Sequence, residues 1–172
     1  MLFDSFRPIY SMETKYIPKL FLETTVFNFY FEGKQGQKQT DAIRLFEEIA
    51  GGKYEAYTSK EVIDEIKDAS AEKAEKMDAL SKKYIKRFIH PSPKAKRMAD
   101  IYIKKGIIPL KFRTDALHIA TATVNKFDFV VSYNLGHIVK TKTMIGTGLA
   151  NLREGYRQIG LSTPREVLDY DR

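Results

Sequence analysis

Short apolar runs recur along this chain, and segments with helical periodicity separate them. The runs are KLFL at residues 19–22, YEAYT at 54–58 and FDFVVSY at 127–133, the last rich in β-branched and aromatic residues. Such runs are typical of strands in a buried sheet. Strands that alternate with helices favour a parallel sheet covered on both sides. We therefore predict an α/β fold, a three-layer sandwich with a mostly parallel central sheet flanked by helices.

Capping residues place several of the intervening helices. Thr24 and Thr25 are positioned to cap the first helix, Ser59 the helix KEVIDEIKDA, and Thr114 the helix DALHIATATVNK. Pro164 is suited to opening a last short helix. Two further segments, YIKRFIHP and YRQI, are predicted to contribute strands.

The chain has the size of a single domain. It contains 172 residues, 43% of them hydrophobic, which is enough for one core. We expect residues 1–18 to form an N-terminal tail and residues 19–172 to form the domain. There are no cysteines, and no apolar run reaches the length of a membrane span. A cytoplasmic protein without a membrane partner is the default expectation.

Positive charge is concentrated in one segment. Residues 82–113 carry eleven basic side chains and one acid, Asp100, for a net charge of +10, whereas the whole chain carries +7. Surface lysines often serve only solubility. A density this one-sided instead favours a polyanionic partner, with nucleic acid first and acidic lipid second. We call residues 82–113 the basic region.

One carboxylate interrupts the most apolar part of the sequence. Glu23 lies at the centre of KLFLETTVFNFYF. Burying a lone acid costs free energy unless its charge is compensated. A surface turn, a helix N-terminus, a basic partner or a metal ion could each provide that compensation.

Further polar groups are predicted to lie at the same edge of the sheet. Glu65 is the acid of its helix closest to the apolar stripe, and Asp115 lies in the first turn of its helix. Singly, a solvated face explains Glu65 and the helix dipole explains Asp115. Together with Glu23 and Asn134, which follow two strands, they would meet where parallel strands end. Such hard oxygen ligands select Mg²⁺ or Mn²⁺.

Several segments together resemble a PIN domain, the nuclease fold of VapC-type toxins. They are LFLETTVFNFYF, YTSKEVIDEI, RTDALHIATATVNKFDFVVSYNLGHI and STPREVL. The resemblance implies an RNA-cleaving enzyme that holds Mg²⁺ or Mn²⁺ with about four acidic residues. It places these at Glu23, Glu65, Asp115 and Asn134, with the hydroxyl of Ser132 beside the pocket. It also implies an antitoxin protein as a partner and a homodimer as an assembly.

Two positions depart from the family pattern. Glu23 stands where Asp is usual, and Asn134 stands where many members carry Asp. The longer side chain shifts a ligand oxygen by about 1 Å, and catalytic geometry is sensitive to such shifts. We expect a metal-dependent endoribonuclease whose activity is weakened or more dependent on Mn²⁺. The alternative is a catalytically attenuated domain that binds nucleic acid or protein.

Other candidate residues have simpler explanations. We interpret His118 and His137 as helix-surface or loop histidines with local hydrogen bonds rather than as metal ligands. Aromatic residues of the first helix are expected in the core, with Tyr30 the best candidate for stacking on a base. Asp128 begins its strand, so it should lie at the opposite edge from Asn134.

Overall fold

Five strands form one parallel sheet in the part of the chain that the structure describes. This is a computed structural model, and it describes residues 16–31, 36–67 and 70–170. The spatial order is β3-β2-β1-β4-β5, with every neighbouring pair parallel. The strands are β1 (Lys19–Leu22), β2 (Glu55–Ser59), β3 (Ile85–Ile89), β4 (Phe129–Val131) and β5 (Gly160–Ser162).

Helices connect the strands and cover both faces of the sheet. The described residues form α1 (Thr24–Phe31), α2 (Gln37–Ala50), α3 (Lys60–Lys67), α4 (Ala71–Tyr84), α5 (Pro93–Lys104), α6 (Arg113–Val124), α7 (Thr141–Arg153) and α8 (Pro164–Leu168). A 3₁₀ turn, Leu110–Phe112, leads directly into α6.

The apolar character of the central strand follows from burial on both faces. Leu20 and Leu22 belong to a core cluster shared with α1 to α4 and α8, whereas Phe21 belongs to one shared with α5 to α7. Successive side chains of a strand point to opposite faces, so one strand supplies both clusters. The predicted α/β sandwich of three layers is confirmed.

Local capping signals are correct at two helices and wrong at two others. Thr24 and Thr25 lie within α1, and the Glu23 side chain instead accepts from the N–H of Thr25 (3.1 Å). Ser59 accepts a hydrogen bond from the backbone N–H of Val62 (3.3 Å), and Thr163 and Glu166 form a capping box before Pro164. Thr114 caps nothing, because α6 already begins at Arg113 as a continuation of the 3₁₀ turn.

The predicted strand YRQI is also wrong. The last strand begins only at Gly160, because Tyr156 follows the C-terminal end of α7 and its N–H donates to the carbonyl of Asn151 in that helix (2.8 Å). Gly155, with φ of 77°, makes the turn between them.

The predicted tail falls mostly on residues 1–15, which lie outside the described residues. Contacts with the domain begin earlier than residue 19. The hydroxyl of Tyr16 donates to Asp128 (2.7 Å), and the carbonyl of Pro18 accepts from the N–H of Glu55 (3.0 Å). Within the described ranges, no helix has the length and apolar character needed to cross a membrane.

Candidate functional site

The carboxyl ends of β1 and β4 lie side by side. Leu22 is in register with Val131, and the N–H of Glu23 donates to the carbonyl of Val131 (3.1 Å). Glu23 and Ser132 therefore follow neighbouring strands at one edge of the sheet, as the sequence predicts. We call this the carboxyl edge; it is where open parallel sheets bind ligands.

Glu23 is buried at this edge and is held by hydroxyl groups. Its side chain is 5% exposed. Its Oε2 accepts hydrogen bonds from the Thr25 hydroxyl (2.6 Å), the Thr25 N–H (3.1 Å) and the Ser132 hydroxyl (2.8 Å). Burial nevertheless raises the pKa of Glu23, with a smaller contribution from the charge of Asp115. Three hydrogen bonds thus compensate this carboxylate only in part.

Asp115 lies opposite, at the first turn of α6, and contacts Asn134. The Asn134 Nδ2 donates to Asp115 Oδ2 (3.2 Å). Burial raises the pKa of Asp115 and so does the charge of Glu65, against the lowering effect of the Asn134 hydrogen bond. The sequence prediction that Asp115 and Asn134 meet is confirmed.

Asn134 is itself held by its own segment of chain. Its Oδ1 accepts from the N–H of His137 (3.0 Å), and its N–H donates to Ser132 Oγ (2.8 Å). The Asn134 side chain is therefore placed so that its amide donates to Asp115 while its carbonyl is engaged by the turn.

Glu65 joins the site from α3 but is oriented differently from the prediction. It is exposed, and its Oε2 accepts from the Thr24 hydroxyl (2.5 Å). The acid of α3 that turns inward is Glu61, which is half-buried; among the described residues, no hydrogen-bond partner reaches its buried Oε2. Our expectation that Glu65 is the most inward acid of α3 was wrong, because Glu61, one helical turn earlier on the same face, is the more buried of the two.

The three carboxylates share one region without converging on one point. The charge of Asp115 acts on Glu23, and that of Glu65 acts on Asp115. Their oxygen donors are of the type that Mg²⁺ and Mn²⁺ prefer. Within residues 16–31, 36–67 and 70–170, however, no three His, Asp or Glu side chains are close enough to bind a common metal ion. The donor chemistry thus fits a hard dication, whereas the described arrangement of these side chains does not form a common site.

His118 and His137 pack against aromatic rings and are not part of the carboxylate group described above. His118 is 3% exposed, so its predicted surface position is wrong; its ring centre lies 5.7 Å from that of Phe21, and burial lowers its pKa to about 4. His137 stacks on Phe112, with ring centres 3.4 Å apart. Tyr30 packs edge-on against Phe46 in the core.

Asp128 lies at the opposite edge of the sheet, as predicted. It accepts from the backbone N–H of Lys19 (2.8 Å) and pairs with Arg157 (2.9 Å). Lys19 at the start of β1 and Arg157 before β5 thus fix Asp128 at the end of the sheet opposite to Asn134.

Two contacts near this edge escaped sequence reasoning, which assigned Thr25 only to capping the first helix and gave Lys38 no role. Thr25 contributes two of the hydrogen bonds to Glu23, and its hydroxyl also accepts from the N–H of Tyr133 (2.8 Å). The ammonium of Lys38 lies 4.9 Å from the ring centre of Phe29 and 5.5 Å from that of Tyr133. A hydroxyl two residues after a buried acid was a usable signal for Thr25; nothing local signalled Lys38, which comes from α2.

The basic region presents its charges to solvent. All eleven basic side chains are exposed. Three of them are paired: Arg113 with Asp100 (2.5 Å), Lys82 with Asp78 (2.7 Å), and Lys86 with Glu55. The remaining eight have no described carboxylate within ion-pair distance: Lys83, Arg87, Lys94, Lys96, Arg97, Lys104, Lys105 and Lys111.

The fold and site together define an α/β sandwich with partly desolvated carboxylates at the carboxyl edge of its sheet. No family model and no curated protein matches this chain.

Proposed function

We propose that this protein is a metal-dependent endoribonuclease with a PIN-like fold. The observation that supports the proposal best is the placement of Glu23, Asp115 and Glu65 in one region of the carboxyl edge, where the charge of Asp115 raises the pKa of Glu23 and the charge of Glu65 raises the pKa of Asp115. Carboxylates in such proximity repel one another unless a cation or protons offset their charge. The basic region, in which basic residues far outnumber acidic ones, suits a polyanionic substrate.

Each residue of the site has a defined part in this proposal. Glu23, Glu65 and Asp115 would hold Mg²⁺ or Mn²⁺, with Asn134 assisting. When bound, the ion would activate water and neutralise charge developing on the phosphodiester. Ser132 and Thr25 fix the orientation of the Glu23 carboxylate through their hydroxyl groups.

Asn134 has a second contribution that needs no metal ligation. Its amide donates to Asp115, which holds that carboxylate in one orientation and favours its ionised form. An aspartate at this position would instead add a fourth negative charge beside Asp115. We therefore propose that Asn134 positions Asp115. Because its side chain is neutral, it adds no negative charge that could help to bind a second ion.

Substrate binding is assigned to the exposed cations. The eight side chains of the basic region without a carboxylate partner would follow the phosphate backbone, and Lys38, beside Phe29 and Tyr133, would contact a further phosphate. Binding to RNA should then weaken steeply as salt is added.

A second candidate function is a catalytically attenuated binding module. Its specific support is that Glu23 Oε2 already accepts three hydrogen bonds from the protein and that no three acidic side chains of the described chain converge. In that case the same basic surface would bind nucleic acid without cutting it. A role as the toxin of a toxin–antitoxin pair in the cytoplasm is compatible with the enzyme; growth arrest on expression, relieved by a neighbouring gene product, would support it.

The deciding experiment compares cleavage by two aspartate variants. Purified protein is incubated with matched single-stranded RNA and DNA across titrations of Mg²⁺ and Mn²⁺, with EDTA as the metal-free reference. We expect RNA cleavage that requires the metal and that falls at least ~100-fold in Asp115→Asn, because the variant removes a proposed ligand charge. Asp64→Asn is the matched control, since Asp64 is an exposed acid of α3 next to Glu65. Cleavage that is equal in Asp115→Asn, or absent with every metal, would reject the enzyme.

A further inference from the structure

Helix α7 turns its large apolar side chains towards solvent. Among the described residues eleven large hydrophobic side chains are exposed, and four of them lie on this one helix: Met144, Ile145, Leu149 and Leu152, each between 43% and 59% exposed. Ile145, Leu149 and Leu152 are spaced four and three residues apart, so they share one face. We call these four residues the α7 stripe.

The buried face of the same helix carries small and polar residues. They are Thr143, Thr147, Gly148, Ala150 and Asn151. A helix at the surface of a globular protein normally has the reverse distribution, with its large apolar residues against the core. The stripe is therefore surplus to the folding of this domain, and contiguous exposed apolar surface of this kind marks an interaction site.

The charged side chains of α7 and of its N-cap are all cations. Lys140 and Lys142 lie at the start of α7 and Arg153 at its end, and Lys94 and Arg97 of α5 line a cavity together with Glu154 and Tyr156. None of these five cations lies within ion-pair distance of a described carboxylate. Glu154, the residue that follows α7, is an acid and lies beside Lys94 and Arg97 in that cavity.

We propose that the α7 stripe is a docking surface for an acidic amphipathic helix of a partner protein. Leucine-like side chains of that helix would pack on Ile145, Leu149 and Leu152, and its flanking carboxylates would pair with Lys142 and Arg153. A second copy of this chain is disfavoured as the occupant, since it would bring the same cations against those of the first. The proposal does not depend on the nuclease activity.

The test uses synthetic peptides and the full chain. The probe is a peptide of about 18 residues with leucines on one helical face and glutamates beside them, long enough to match the 13 residues of α7. One control peptide has the same composition in scrambled order, and another has lysine in place of glutamate. Affinities are measured by fluorescence anisotropy at low and high salt, and the oligomeric state of the protein by light scattering.

We expect the acidic amphipathic peptide to bind at least ~10-fold more tightly than either control and to weaken as salt is added. The double variant Ile145→Ser/Leu149→Ser should lose that binding, whereas Ile43→Ser, at an exposed isoleucine of α2, should keep it. Both substitutions replace exposed residues, so unchanged melting curves are required of each variant.

Three results would overturn the proposal. They are no binding of the acidic peptide, equal binding by the double variant or the lysine peptide, and a dimer of the wild-type chain that Ile145→Ser/Leu149→Ser dissociates. The last result would assign the stripe to a second copy.

Discussion

Glu23 is a buried acid whose ionised form is disfavoured by the fold. Its pKa is raised because burial disfavours the charged form more than the hydroxyl groups of Thr25 and Ser132 favour it. A carboxyl group whose pKa is higher in the folded chain than in the unfolded chain destabilises the fold once it ionises. That destabilisation is absent below the ordinary pKa of 4.5 and develops as pH rises through the raised value.

The first prediction concerns Glu23→Gln. In metal-free buffer at pH 7 the variant should be more stable than the wild type by roughly 1 kcal/mol, because it removes a buried charge and keeps an oxygen for the Thr25 and Ser132 hydroxyls. Thermal unfolding followed by circular dichroism from pH 3.5 to pH 8 measures the difference. It should shrink towards zero below pH 4.5, where the wild-type carboxyl is protonated in both states.

The control for this prediction is Glu47→Gln, at an exposed acid of α2. It should leave the free energy of unfolding within about 0.5 kcal/mol of the wild type. A Glu23→Gln variant that is less stable than the wild type at pH 7 would show that the ionised carboxylate is favourable where it lies.

The second prediction concerns Lys38. Its ammonium rests on the rings of Phe29 and Tyr133 and has no described carboxylate within ion-pair distance, so it is free to contact a phosphate. Lys38→Gln should weaken RNA binding in EDTA several-fold and lower the slope of log affinity against log salt by about 1.

Lys76→Gln is the matched control, because Lys76 is an exposed lysine already paired with Glu72 on α4 (2.6 Å). Its salt slope should equal that of the wild type. An unchanged slope in Lys38→Gln would remove Lys38 from the substrate-binding surface and leave the basic region as the remaining source of affinity.

Strand β5 requires a residue without a side chain at its first position, Gly160. Gly160 is in register with Phe129, and a Cβ atom at Gly160 would lie 2.4 Å from the Phe129 ring. The ring of the neighbouring strand therefore occupies the space above this glycine. This close approach accounts for the glycine at position 160 of β5.

The third prediction follows from that contact. Gly160→Ala should destabilise the fold by about 1–3 kcal/mol, since the added methyl displaces an aromatic ring in packed surroundings. Urea unfolding monitored by fluorescence gives the measurement. Gly51→Ala is the control, because its added Cβ would meet only ordinary contacts at 3.5 Å and its φ is −72°. Equal midpoints for both variants would contradict the packing seen between β4 and β5.

At the scale of the molecule, three elements from distant parts of the sequence complete the site. Glu23 directly follows β1, Glu65 lies on α3, and Asp115 lies on α6. A ligand that binds only the folded arrangement stabilises the whole domain by mass action.

The fourth prediction uses that linkage. Mn²⁺ at a hundredfold excess over its dissociation constant should stabilise the wild type by about 2.7 kcal/mol, seen as an increase of several degrees in melting temperature. Asp115→Asn should lose most of that increase, and Asp64→Asn should retain it. A wild-type melting temperature that does not respond to Mn²⁺ or Mg²⁺ favours the attenuated binding module over the enzyme.

The sequence alone determined the class of fold and the edge at which the acids meet. Apolar runs such as KLFL require burial on both faces, and alternation with helices requires parallel connections. The carboxyl ends of parallel strands share one edge, so the positions of Glu23, Ser132 and Asn134 relative to one another followed from chain order. These are consequences of short-range pattern and of chain connectivity.

Only the tertiary structure decided the orientation of the side chains at that edge. Glu61 and Glu65 lie one turn apart on the same face of α3, so which of them is buried depends on the neighbours that cover each part of the helix. The burial of His118 and the placement of Lys38 on Tyr133 likewise depend on neighbours from other segments. A helical pattern specifies a face about 100° wide, whereas a ligand oxygen must be placed within about 1 Å, and contacts between distant segments supply that precision.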